Sequence, residues 1–226
     1  MFTMRRYEIN IKQKKEECKI IRKFAQRRTF NNFTQKYIVV LIHLYITRHG
    51  QTEENVQRIL QGQMPGHLTQ TGIQQAEDLR DRLIGQPFDA IITSDLKRAT
   101  DTAHIIAQGR DCPVIEEPLL RERDFGIHTG GPYISISHAL DPSAETMEHV
   151  AQRAADFLNK MARERDGEQL LVVSHGLFLR VLQAVFHGVE TRAIERMDNA
   201  EVRLLELDPT LPFQAVTQTE VGGTAN

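Results

Sequence analysis

From residue 38 onward, short apolar runs alternate with segments of helical period. The strand-like runs are 38–46, 88–93, 113–115, 169–173 and 202–207. Between the first two, Thr71 and Gln74 have capping-box spacing, and Ile73, Ala76, Leu79 and Leu83 follow at helical period up to Gly85 and Pro87. Ser94-Asp95 are expected to open the next helix, with Ala99, Ala103 and Ile106 on its inner face. Residues 143–164 read as a long helix capped by Ser143, with Met147, Val150, Ala154, Phe157, Leu158 and Met161 inward. Residues 177–186 read as a strongly apolar helix. Such alternation calls for parallel strands joined by helical crossovers, because parallel neighbours cannot be linked by a tight turn. The expected fold is α/β, a mostly parallel central sheet with helices on both faces, preceded by a basic N-terminal arm. Ligands of such sheets bind beyond the carboxyl ends of the strands.

The division expected is an extension over 1–37 and a catalytic-size domain over 38–226. Charge draws that line: 1–37 holds 11 Lys and Arg against 3 Asp and Glu, and the remainder 17 against 27. A basic arm before an acidic domain fits an anionic surface, nucleic acid or a solvated tail. No aromatic-interleaved pattern accompanies the charge, so the tail is the preferred reading and nucleic acid the lesser one. A translation start at Met4 or later, which would place the arm outside the working protein, is a further reading. The arm and the run 38–46 resemble the first parts of a signal peptide, but no small-residue cleavage site follows and the run is too short to span a bilayer. Cys18 and Cys112 show no metal or redox spacing. A cytoplasmic protein without membrane association is expected.

The polar residues that follow the strands carry the chemistry. Arg48-His49-Gly50 follows the first run, Ser94 through Arg98 the second, and Ser174-His175-Gly176 the fourth. Strand ends converge, so these residues are expected on one edge. A phosphoryl group is compact and multiply charged, and binding it needs fixed cations and N–H donors. Arg48, Arg98 and a protonated His175 would supply three positive groups. Gly50 and Gly176 would let the backbone come close. His49 can attack phosphorus if one ring nitrogen is held by a hydrogen bond and the other keeps its lone pair. The leaving oxygen needs a proton, and Glu122 and Asp124, after the third strand, are both candidates for its donor. The other histidines show no HxH or HExxH spacing, so a metallohydrolase is a weak alternative.

Arg48-His49-Gly50-Gln51-Thr52-Glu53-Glu54-Asn55, Ser94-Asp95-Leu96-Lys97-Arg98-Ala99, Leu120-Arg121-Glu122-Arg123-Asp124-Phe125-Gly126 and Ser174-His175-Gly176 resemble, in order, the motifs of the histidine phosphatase superfamily. This is the group containing cofactor-dependent phosphoglycerate mutase and its phosphatase relatives. The resemblance spans about residue 41 to about residue 208. It implies His49 as the phosphorylated nucleophile, Glu122 as proton donor and acceptor, and His175 beside them. Arg48, Gly50, Thr52, Asn55 and Arg98 would surround the phosphate, although Asn55 also fits a helix cap. It implies no metal or organic cofactor, and a small-molecule phosphate ester as partner.

The sequence departs from many phosphatases of this group in carrying His128-Thr129-Gly130-Gly131 where they carry an aromatic-Glu-Gly pattern. Residues 125–142 read as a loop over the site. From Asp124 through Val150 there is no Lys or Arg, while Phe125, Ile127, Tyr133, Ile134 and Ile136 are apolar or aromatic. That favours hydrolysis of an ester with an uncharged or partly apolar leaving group. The alternatives are mutase-type phosphotransfer and a non-catalytic module that binds phosphorylated ligands.

Overall fold

Strand β4 (Gln169–Ser174) is buried along nearly its whole length, and this follows from its central place. In the computed structural model, which describes residues 39–133 and 141–215, five strands pair in the order β3-β2-β4-β1-β5. The others are β1 (Ile42–Arg48), β2 (Ala90–Thr93), β3 (Val114–Glu116) and β5 (Val202–Leu207). Strands β1, β2, β3 and β4 run parallel, and β5 is antiparallel to β1 at one edge. The basic arm, Cys18, Ile134, Ile136 and His138 lie outside the described residues.

Successive residues of the sheet face opposite cores, as a period of two requires. Ile42, Leu44, Ile46, Leu170 and Val172 pack on one side with Phe157, Leu158, Phe178 and Leu182. The last four come from α4 (Met147–Glu164) and α5 (Gly176–His187). Ile91, Leu171 and Val173 face the other side, against Leu79 of α2 (Gln70–Arg82) and Ala99, Ala103 and Ile106 of α3 (Lys97–Ala107). A short helix, α1 (Glu53–Val56), follows β1. Among the described residues no helix is long and apolar enough to cross a membrane.

The expected elements are present, but several boundaries move. Val39 and Val40 are each 40% exposed and precede β1, which reaches Arg48 instead of stopping at residue 46. The cap of α2 is Thr69, whose hydroxyl accepts from Gly72 N, and Thr71 lies exposed inside the first turn. The cap of α4 is Thr146, not Ser143. Ser143 instead accepts from Ile127 N and donates its own N–H to Asp141, tying the 125–142 segment to its far end. Ser94-Asp95 likewise precede α3 by a turn, because Ser94 Oγ is engaged with His175.

Candidate active site

The register of the sheet brings the strand-end residues together. Arg48 pairs with Ser174 across β1 and β4, and Thr93 with Val173 across β2 and β4. The next residues therefore emerge side by side. His49 N donates to Ser174 O at 3.0 Å and Ser94 N to Val173 O at 2.9 Å. The rings of His49 and His175 lie 5.2 Å apart, centre to centre.

His49 is 3% exposed. Its Nδ1 lies 2.7 Å from Gly50 O, and its Nε2 is 3.2 Å from Arg98 Nε. A carbonyl can only accept and a guanidinium can only donate, so Nδ1 carries the proton and Nε2 the lone pair. Burial, and then the charges of Arg98 and Arg48, hold the His49 pKa well below the ordinary histidine value. The ring is thus a neutral base aimed at a cation.

Arg98 is 1% exposed on the first turn of α3, where a cation opposes the helix dipole. Carbonyls compensate: its guanidinium donates to Met64 O and, at 2.8 Å, to Gly62 O. Burial lowers its pKa to about 10, so it stays charged at neutral pH. Arg48 donates to Met197 O at 3.1 Å, while its buried Nε finds no partner. A Cβ on Gly176 would stand 3.2 Å from that Nε, so this glycine gives the guanidinium room.

Glu122 is 9% exposed and its carboxylate accepts three backbone N–H bonds. Two come from Leu177 and Phe178 in the first turn of α5, where the helix dipole favours an anion. The third comes from Arg123 N. Glu122 lines the cavity beside His49. Asp124 does not line it, and its carboxylate accepts from Gly126 N instead. Of the two acids left open by the residues alone, Glu122 is therefore the one that faces the site.

Several expected residues occupy other roles. His175 is fully buried and does not line the cavity. Its Nε2 is 2.9 Å from Ser94 Oγ and its Nδ1 has no partner. The expected protonated form is not the resting one, since burial and then Arg98 hold its pKa well below the ordinary value. Thr52 is the N-cap of α1, and its hydroxyl accepts from Asn55 N. It is fully buried and away from the cavity. Asn55 does line the cavity, but its Oδ1 closes the capping box on Thr52 N. Gly50 N donates to Thr102 Oγ1, and a Cβ at Gly50 would overlap the Gly72 carbonyl. The close approach that demands this glycine is to α2.

The cavity measures about 590 Å³. One part of its wall is apolar, formed by Ile59, Leu60, Phe125, Tyr133, Met147 and Leu177. Ile127, expected there, is 71% exposed and outside it. Arg58, Arg123, Arg180 and Arg196 also line it. The expectation of a cation-poor leaving-group pocket is corrected by Arg180 and Arg196, which come from outside the 124–150 segment. Arg180 was readable, one turn after Gly176 on α5. Arg196 and Asn199 were not, because they reach the site only through β5 being antiparallel, which puts the loop before it at the catalytic edge. Asn199 Nδ2 donates to His49 O at 2.7 Å. Arg121 forms an ion pair with Asp95. Among the described residues no group of three or more His, Cys, Asp or Glu side chains is placed to hold a metal ion.

Residues 44–217 match the model of the histidine phosphatase superfamily, branch 1. The chain is 34% identical over 172 residues to the probable phosphoglycerate mutase GpmB of Cronobacter sakazakii, covering 70% of this chain and 80% of that one. It is 32% identical over 187 residues to the metal-independent phosphoserine phosphatase of Arabidopsis thaliana, covering 73% of this chain and 76% of the relative. Among solved structures, YhfR of Bacillus stearothermophilus superposes with a TM-score of 0.71 at 30% identity, over 80% of this chain and 98% of that one.

Proposed function

Because this chain belongs to the histidine phosphatase superfamily, branch 1, we propose that it is a metal-independent phosphomonoester hydrolase that works through a phosphohistidine on His49. One observation carries the reading. A neutral histidine presents Nε2 to a cavity walled by Arg48, Arg98 and the carboxyl group of Glu122, with its other nitrogen held by a carbonyl. In this reading the substrate phosphate takes the Arg98 Nε–H away from His49. The freed lone pair attacks phosphorus, and Arg48, with its unpartnered Nε–H, and Arg98 bear the charge of the oxygens. Glu122 in its acid form protonates the leaving oxygen. The resulting carboxylate then takes a proton from the water that cleaves the phosphoramidate. The substrate is a small phosphorylated metabolite whose remainder meets both apolar wall and guanidinium groups, and the setting is cytoplasmic.

Mutase-type phosphotransfer is the second reading, favoured by Arg58, Arg180 and Arg196 on the cavity wall, which can grip a second anionic group. One experiment separates the two. Enzyme is incubated with 3-phosphoglycerate and a trace of 2,3-bisphosphoglycerate, and 2-phosphoglycerate and free phosphate are followed together. Release of phosphate from several monoesters with little isomerisation is expected. Isomerisation much faster than release would establish the mutase. A rapid quench with labelled substrate should leave acid-labile, base-stable label on the wild type and none on His49→Ala.

A further inference from the structure

The hydrogen bonds that hold the His49 ring do not end at Gly50. Gly50 is held on both sides by residues that touch neither the cavity nor the ring. Its N–H donates to Thr102 Oγ1 at 3.1 Å. The peptide that carries its carbonyl has its N–H on Gln51, and this donates to Gln75 Oε1 at 2.9 Å. Thr102 is fully buried on α3 and donates in turn to Arg98 O at 2.7 Å. Arg98 Nε returns to His49 Nε2 at 3.2 Å. The contacts close a ring: Arg98 backbone, Thr102 hydroxyl, Gly50, imidazole, Arg98 guanidinium.

We propose that Thr102 and Gln75 are positioning residues that set the tautomer of His49. Gln75 accepts from the same peptide group whose oxygen accepts Nδ1–H, so the two bonds polarise one another in the same sense. Thr102 holds the other side of Gly50 and ties it to the turn that bears Arg98. Nucleophile and cation are thus spaced by one hydroxyl. With the frame intact, Nδ1 holds the proton and Nε2 keeps the lone pair. With the frame loosened, the Gly50 carbonyl turns away, the proton moves to Nε2, and the atom that must attack phosphorus becomes a donor. Neither residue touches substrate. Both act through Gly50.

This rests on His49 being the nucleophile, but the tautomer can be read without turnover. The imidazole nitrogens of ¹⁵N-histidine-labelled protein are observed by NMR, alongside phosphoenzyme formation in a single turnover. Wild type should show His49 protonated at Nδ1. Thr102→Val and Gln75→Leu should each give signal for the Nε2-protonated form and slow phosphoenzyme formation about 10²-fold, with substrate affinity little changed. Thr102→Ser and Gln75→Glu retain an acceptor at the same place and should restore both readouts. If Thr102→Val fails to fold, Gln75→Leu, at a half-buried position, carries the test alone. Wild-type nitrogen shifts and wild-type phosphorylation in the folded Gln75→Leu protein would overturn the proposal. Absence of a phosphoenzyme in wild type, with Nδ1 still protonated, would count against the nucleophile and leave the frame standing.

Discussion

At the scale of residues, the histidines and arginines after the strands were legible because few other roles suit a His-Gly pair there. Their partners were not, because a carbonyl such as Met64 O or Met197 O leaves no mark in side-chain identity. Glu122 illustrates the difference. Its helix-terminal position depends on α5 starting at Gly176, and no spacing in the sequence relates the two. Its role in the proposed mechanism is testable by leaving group. Glu122→Gln should slow alkyl phosphates by about 10²–10⁴-fold, and aryl phosphates with good leaving groups far less. Equal losses on both would indicate a structural role. The two buried histidines make a second prediction. Their folded pKa values lie below the ordinary 6.5, so the unfolded chain binds more protons as pH drops below that value. Stability is therefore full above about pH 6.5 and is lost as pH falls toward the folded values, at up to ~1.4 kcal/mol per pH unit for each ring. The Tm of His175→Asn should fall less steeply than wild type over that window. Parallel curves would show that His175 is not held neutral.

At the scale of elements, apolar runs and helical period located the five strands and the four long helices but not the short α1, which buries no residue and so leaves no apolar stripe. Caps were misplaced by two or three residues. Thr69, Thr71, Ser143 and Thr146 are all chemically able to cap, and tertiary contacts choose among them. The glycine at the start of α2 shows such a contact. A Cβ on Gly72 would overlap the carbonyl oxygen of Gln51, which belongs to the loop that carries the nucleophile. Gly72→Ala should lower stability by about 1–3 kcal/mol, as overpacking does. In urea the midpoint should shift with an unchanged slope. A midpoint equal to wild type would mean that the loop yields freely.

At the scale of the whole molecule, strand and helix alternation indicated the sheet and the edge that binds ligand, but not strand order or the reversal of β5. Those depend on which surfaces fit, which a linear pattern does not encode. Among the described residues, the five strands and the lining of the cavity lie within residues 42–207. Removing residues 1–37 should therefore leave kcat/KM within a few-fold, and a folded truncation without activity would show that the arm completes the site. Exhaustive chelation should leave turnover intact, because Arg48 and Arg98 already supply the positive charge a metal would bring. Recovery by added zinc or manganese after loss would reverse that view. The sheet order also bears on how the chain is made. β1 is synthesised first, yet its two neighbours are β4 and β5, with His43 beside Gln169 on one side and Glu206 on the other. On the ribosome an apolar ribbon must wait, with both edges open, until the last quarter of the chain emerges. Closing loops of that length is slow. A nascent chain paused before residue 169 is consequently the form of this protein most exposed to aggregation and in greatest need of a chaperone.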